Sequence, residues 1–302
     1  MEPAEWNRVE RFLSHLQLER RLSPHTASAY RRDLACLAEF CDREGIAAWR
    51  DLKVHHLRRF AATSHGSGLN PRSIQRRLSG ARSFLRYLLR EGEINANPGV
   101  GVSAPRAARR LPATLDVDQM GHLLQMRGDD PVTLRDRAML ELLYSSGLRL
   151  AELVGLDLGD IDLGDGLVRV TGKGRKTRLV PVGRAAREAV AGWLRERAGM
   201  AAAGERAVFT GVRGRRINPR SVQARVAYWA RRSGLGQRVH PHLFRHSFAS
   251  HLLESSGDLR AVQEMLGHAN ISTTQIYTHL DFQHLAQVYD KAHPRARKPS
   301  RP

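Results

Sequence analysis

Residues 98–112, Pro98-Gly-Val-Gly-Val-Ser-Ala-Pro-Arg-Ala-Ala-Arg-Arg-Leu-Pro112, carry three prolines, two glycines and three arginines without any hydrophobic period. Such a stretch neither continues a helix nor pairs as a strand, and it reads as a linker. No strand pattern precedes it, whereas both helical and alternating patterns follow it. The chain is therefore constrained to an all-helical part and a mixed part. Its 302 residues suit two domains at about 100–200 residues each.

In the first part, Val9, Phe12, Leu13 and Leu16 form one helical stripe within residues 5–20. Ser23-Pro24 sets a cap before a first-turn proline, and Tyr30, Leu34, Leu37 and Phe40 share the face that follows. Asn70-Pro71 repeats the device ahead of Ile74, Leu78, Ala81, Leu85 and Leu88. This predicts a small helical bundle.

The second part predicts helices at 116–126, 133–145, 150–156, about 184–198, 219–232, 243–256, 258–266 and 281–291. Leu167–Thr171 and Thr177–Val182 alternate as a hairpin around Gly172-Lys-Gly-Arg-Lys176. The expected class is mainly α with a small β-sheet in the second domain. The expected domains are 1–97, a linker at 98–112, a second domain at 113–292 and a disordered basic tail at 293–302.

Charge narrows the partner. Lys and Arg number 49 against 30 Asp and Glu, a formal net charge of +19. Residues 1–110 hold 20 basic and 11 acidic side chains, and the remainder hold 29 and 19, so both parts are basic. This points to a polyanion rather than an acidic protein: nucleic acid first, an anionic membrane second. No run of about 18 apolar residues predicts a membrane span. The N-terminus lacks the basic and apolar regions of a signal peptide. Cys36 and Cys41 fall on different faces of one helix and are not expected to pair, which suits a reduced, cytoplasmic protein.

Three patterns in the second part bear on chemistry: Ser146-Gly-Leu-Arg149-Leu-Ala-Glu-Leu153, His240-Pro-His242-Leu-Phe-Arg245-His246, and Leu266-Gly-His268-Ala-Asn270 followed by Tyr277. Each alone also describes a surface cation, a structural histidine or a core tyrosine. Together they fit transesterification of a phosphodiester. The non-bridging oxygens gain charge in the transition state, and the guanidinium forks of Arg149 and Arg245 match them while staying charged. His242 and Arg245 stand three apart on one helical face, so both can point into one site. His268 can add a donor, and the Tyr277 phenol can act as a nucleophile. Only five of the 49 cations are lysines. One of them, Lys173, sits at the hairpin tip, where a desolvated ammonium could protonate a leaving alkoxide more readily than Arg.

The order Arg149, Lys173, His242-x-x-Arg245, His268, Tyr277 resembles the catalytic set of the tyrosine recombinase (phage integrase) family. Leu148-Arg149-x-x-Glu152-Leu153, Ser247-Phe248-Ala249, and Thr274-Gln-Ile-Tyr277 resemble the family's flanking motifs. Glu10-Arg-Phe-Leu13, Leu22-Ser-Pro24, Asp281-Phe-Gln-His-Leu-Ala286, Val288-Tyr-Asp290 and Ala292-His-Pro-Arg-Ala296 are similar to its Xer subgroup, so the resemblance spans nearly the whole chain. It implies that Tyr277 attacks the scissile phosphate to give a 3′-phosphotyrosyl intermediate and a free 5′-hydroxyl. Arg149 and Arg245 would hold the non-bridging oxygens, His242 and His268 would hydrogen-bond or move a proton, and Lys173 would protonate the 5′-oxygen.

No cofactor, metal or ATP is implied, because one phosphodiester is exchanged for another of similar energy. The implied partners are a double-stranded DNA recombination site, a sister recombinase in a heterotetramer on two such sites, and a septal DNA translocase. The implied role is resolution of chromosome dimers at cell division. The two domains would clamp the duplex, and residues 281–292 would dock on a neighbouring subunit through Phe282, Leu285, Ala286, Val288 and Tyr289. A pocket on the same chain is the other home for that face.

Three other readings remain. His242 and His246, four apart, resemble a zinc-hydrolase pair, but Leu243 stands where the general-base Glu would be, and no nearby carboxylate completes the ligand set. A DNA-binding protein could keep the fold without the chemistry, although the complete catalytic set argues against it. A phage or transposon integrase often adds an N-terminal arm-binding domain, for which a helix beginning at residue 5 leaves no room. Residues Arg220–Arg232 are a candidate recognition helix.

Overall fold

Four of the helices start by one local rule. Asn70, Asp130, Asn218 and His240 are each followed by a proline, which has no N–H to waste in a first turn. Each residue's side chain accepts a first-turn backbone N–H: Arg72 at 2.9 Å, Thr133 at 3.0 Å, Ser221 at 2.8 Å and Leu243 at 3.2 Å. The computed structural model describes residues 2–20, 22, 24–105, 114–172, 177–266, 289 and 292–294. The chain divides into two units, residues 1–110 and 111–302.

The first unit holds α1 (Pro3–Leu18), α2 (Pro24–Arg43), α3 (Val54–Gly66) and α4 (Pro71–Arg90), with a 3₁₀ turn at Trp49–Asp51. The apolar stripes read from the sequence all face one core. Its centre is aromatic: Phe84 lies 5.4 Å from Phe12 and 5.1 Å, edge on, from Trp49. The Trp49 indole N–H donates to the Glu5 carbonyl at 2.9 Å, so its polar edge is satisfied. The stretch read as a linker from residue 98 takes Val102 into this core, where it is 2% exposed. Asn97 turns the chain there, donating to the Arg82 carbonyl at 3.1 Å and accepting the Gly99 N–H at 2.9 Å. The rest of that stretch, from residue 106, lies outside the described residues, as does most of the tail.

The second unit holds α5 (Val117–Leu124), α6 (Pro131–Ser145), α7 (Leu150–Gly155), β1 (Ile161–Asp162), β2 (Leu167–Thr171), β3 (Thr177–Pro181), α8 (Arg184–Met200), α9 (Pro219–Arg232), α10 (Pro241–Ser256) and α11 (Leu259–Leu266). The strands form one antiparallel sheet in the order β1-β2-β3. Eleven of the fifteen residues of α6 are buried, which makes it the central helix. Its polar members are matched. Asp136 accepts Arg135 at 2.8 Å, the Trp229 indole at 2.9 Å, and Arg225. Cys36 and Cys41 are both free thiols. Among the described residues, no helix is long and apolar enough to cross a membrane.

The mainly helical, two-unit architecture with one small sheet is the class expected from sequence. The helix α3 was not expected. Three histidines and two arginines dilute its stripe of Leu57, Phe60, Ala61 and Ser64, and Lys53 replaces the usual cap.

Candidate active site

The turn Ser145–Arg149 is built by its neighbours. The Ser146 hydroxyl donates to the Pro181 carbonyl at 2.8 Å, and Ser145 Oγ accepts the Gly183 N–H at 2.8 Å. Both contacts pin the turn to the end of β3. Gly147 then adopts φ +56°, and a Cβ there would lie 2.5 Å from the Phe248 ring. Only glycine meets both demands. Arg149 follows as the residue before α7, its side chain 40% exposed.

Arg245 reaches the same turn from α10. It is 6% exposed, and its Nη1 and Nη2 donate to the carbonyls of Gly147 at 2.6 Å and Leu266 at 2.5 Å. Burial, with Arg149 and Arg178 nearby, lowers its pKa to about 10. It remains a cation at neutral pH, with three N–H groups not used by those two bonds.

His242, one turn earlier on α10, is exposed. Partial desolvation of the ring by the cleft wall first, then the charges of His246, His240, Arg245 and Arg149, hold its pKa below the ordinary histidine value. Its imidazole is therefore neutral near pH 7, able to accept a proton or donate a hydrogen bond. Arg149, His242 and Arg245 line one cleft of about 200 Å³ with Leu148, Leu150, Gln223, His240 and Pro241. The structure thus brings together three of the six residues picked from sequence. Lys173, His268 and Tyr277 lie outside the described residues, as do Phe282, Leu285, Ala286 and Val288.

Of the face assigned to residues 281–292, Tyr289 is described. It is buried in the core of its own unit, with its hydroxyl 2.6 Å from Ser145 Oγ and its ring stacked 4.8 Å from His293. Burial pushes His293 down to about 3, so it is a neutral ring in that core. Among the described residues, no group of three His, Cys, Asp or Glu side chains could hold a metal. The rings of His242 and His246 have their centres 6.1 Å apart, and among the described residues no third ligand joins them.

Two residues given no role at the sequence level brace the Arg149 turn. Glu152, almost wholly buried, accepts the Arg149 backbone N–H at 2.8 Å and Arg149 Nη1 at 2.9 Å. It also accepts both terminal nitrogens of Arg178, at 2.8 and 3.0 Å. Burial alone would raise the Glu152 pKa, but hydrogen bonds from Arg178 and Arg149 more than offset it and hold it below the usual carboxylate value. Arg178 was hidden by hydrophobicity. In Thr177-Arg-Leu-Val-Pro181 the period of two that buries Val180 also buries Arg178 and turns Leu179 outward, 47% exposed.

The fold has counterparts among known proteins. Residues 113–284 match the phage integrase family, and residues 9–92 match the phage integrase N-terminal SAM-like domain. The chain belongs to the phage integrase family. It is similar to Tyrosine recombinase XerC of Azotobacter vinelandii, 58% identical over 291 residues, which is 96% of this chain and 97% of the relative. It is 55% identical over 291 residues to Tyrosine recombinase XerC of Pseudomonas aeruginosa strain LESB58, across 96% and 95% of the two chains. Among solved structures, its fold resembles the XerH site-specific recombinase bound to palindromic difH substrate, with a TM-score of 0.71 and 23% identity over 94% and 88% of the chains. It also resembles the Tn1549 transposon integrase in complex with transposon right end DNA, with a TM-score of 0.73 and 17% identity over 93% and 98%.

Proposed function

We propose that the chain is a site-specific tyrosine recombinase that cuts and rejoins double-stranded DNA, without metal or ATP, in the cytoplasm. Its biological task is resolution of chromosome dimers at cell division, with a sister recombinase of the XerD type in a heterotetramer on two sites and a septal DNA translocase as a further partner. Residues 1–97 serve as the core-binding domain and 113–292 as the catalytic domain. The observation that carries the reading is the single cleft into which Arg149, His242 and Arg245 converge. The likeness to Tyrosine recombinase XerC across almost the whole chain supports it.

In this mechanism the Tyr277 phenol oxygen attacks phosphorus and the bond to the 5′-oxygen breaks. The phenol proton passes to a neutral histidine, His242 or His268, and the 5′-oxygen takes a proton from Lys173. Arg149 and Arg245 stabilise the charge that grows on the non-bridging oxygens, the task a metal performs in other phosphoryl transfers. Attack by the free 5′-hydroxyl of a partner duplex reverses the chemistry and restores the phenol.

Incubation of the full chain with genomic fragments in excess chelator, followed by denaturation, is expected to recover one DNA sequence joined to protein at Tyr277. Loss of the adduct in chelator and its return with a divalent ion would overturn the metal-free mechanism. Lys173→Ala is expected to cleave that DNA slowly and to recover most of its rate when sulfur replaces the bridging 5′-oxygen, because a thiolate leaves without a proton. No recovery would show that Lys173 positions the phosphate instead.

A further inference from the structure

We propose that Arg178 is a positioning residue for strand cleavage: it ties the strand leaving the Lys173 hairpin to the Arg149 turn and to the end of α11. The inference rests on the reading of the site given above.

Arg178 is a cation on the buried face of β3, 8% exposed. Its guanidinium has two separate tasks. Nη1 and Nη2 form a fork on the Glu152 carboxylate, while Nε donates to the Met265 carbonyl at 3.1 Å. Glu152 passes the constraint to both the backbone and the side chain of Arg149. The next carbonyl of α11, Leu266, is held by Arg245, whose other arm holds Gly147. Two buried guanidinium groups therefore staple consecutive carbonyls at the end of α11 to the same turn. Four pieces of chain distant in sequence meet in this network: the turn before α7, β3, α10 and α11. In the sequence, Lys173 precedes Arg178 by five residues and His268 follows Leu266 by two.

A planar fork with a third, lateral donor is what this geometry needs. A lysine supplies the charge but cannot address both carboxylate oxygens and a carbonyl in fixed directions. Positions held this way matter because misplacing a reacting group by about 1 Å can cost on the order of 10²-fold in rate.

Glu152 provides a readout that simple loss of folding would not produce. Among the described residues, the charged groups facing it are Arg178 from β3, Arg149 from its own turn, and Arg245 from α10, whose pKa its charge raises. With Arg178 present, Glu152 is ionised throughout the neutral range. Without Arg178 the effect of burial is less offset, its pKa rises, and it becomes ionised only as pH increases.

The test uses the full-length chain and the genomic fragment recovered on wild-type Tyr277, with gel shift for affinity and quenched denaturing gels for adduct formation. Wild-type adduct formation tests the reading of the site itself; if the wild type forms none, that reading fails before Arg178 is in question. Arg178→Met is expected to bind the fragment as the wild type does and to form the adduct about 10²-fold more slowly. Its rate should climb with pH across the neutral range more steeply than that of the wild type. In Arg178→Met/Glu152→Gln the rate should stay low and the extra slope should vanish. Arg178→Lys, which keeps the charge and loses the fork, should be slow without the extra slope. It carries the test if Arg178→Met does not fold. Wild-type rates in either single variant would overturn the proposal, as would a slow Arg178→Met with the pH profile of the wild type.

Discussion

Tyr277→Phe is expected to bind the recombination site with the affinity of the parent chain and to leave no covalent adduct in a denaturing gel. The substitution removes one oxygen, the one that would become bonded to phosphorus, and keeps the ring. The chain has six tyrosines, and the structure accounts for the other five. Tyr144 is buried with its phenol 2.8 Å from His251 Nδ1, and burial pushes its pKa far up. Tyr289 is buried and hydrogen-bonded to Ser145. The ring of Tyr228 carries the Arg225 guanidinium at 4.4 Å. Tyr30 and Tyr87 pack on the core of the first unit. An adduct that persists in Tyr277→Phe and maps to any of these would refute the assignment.

Arg245→Ala is expected to lower the cleavage rate by about 10²–10³-fold, the usual loss when one donor to a developing charge is removed from an enclosed site. Affinity in a gel shift should fall far less, because most of it comes from the many other cations that meet phosphates. Arg245→Lys should stay well below the wild type. An ammonium has three N–H groups, and the carbonyls of Gly147 and Leu266 take two; the guanidinium has five and keeps three for the phosphate. A lysine variant that cleaves at the wild-type rate would show that charge alone suffices.

Legibility in the sequence followed the strength of local rules. Proline after a capping side chain marked the start of α4, and the stripes of α1, α2 and α4 named half of the first core, because helical period and burial coincide there. The hairpin was legible from alternation. Arg149, His242 and Arg245 were legible as one site because phosphate chemistry calls for those side chains and two of them share a helix face. Other features depend on contacts between distant segments, which no local pattern encodes. Arg178 faces inward because its strand partners fix the register, and Leu179 faces outward for the same reason. Val102 enters the first core from a stretch with no period. Glu152 sits in a recognisable motif, yet its task depends on an arginine 26 positions away.

The burial of Arg245 also has a thermodynamic side. Its pKa of about 10 lies well below the free value, so its buried surroundings oppose the charged form. By linkage, a base whose folded pKa is depressed detracts from folding stability wherever the unfolded chain holds the proton, on the order of 1.4 kcal/mol per unit. That penalty is present at neutral pH and eases only as the solution becomes alkaline enough to approach the folded pKa. An oxyanion in the cleft eases it without any change of pH, by supplying the counter-charge that Arg149, Arg178 and Arg245 share too little of. The second unit is therefore expected to resist heat and proteolysis better once an oxyanion binds there, which thermal unfolding with and without DNA would read.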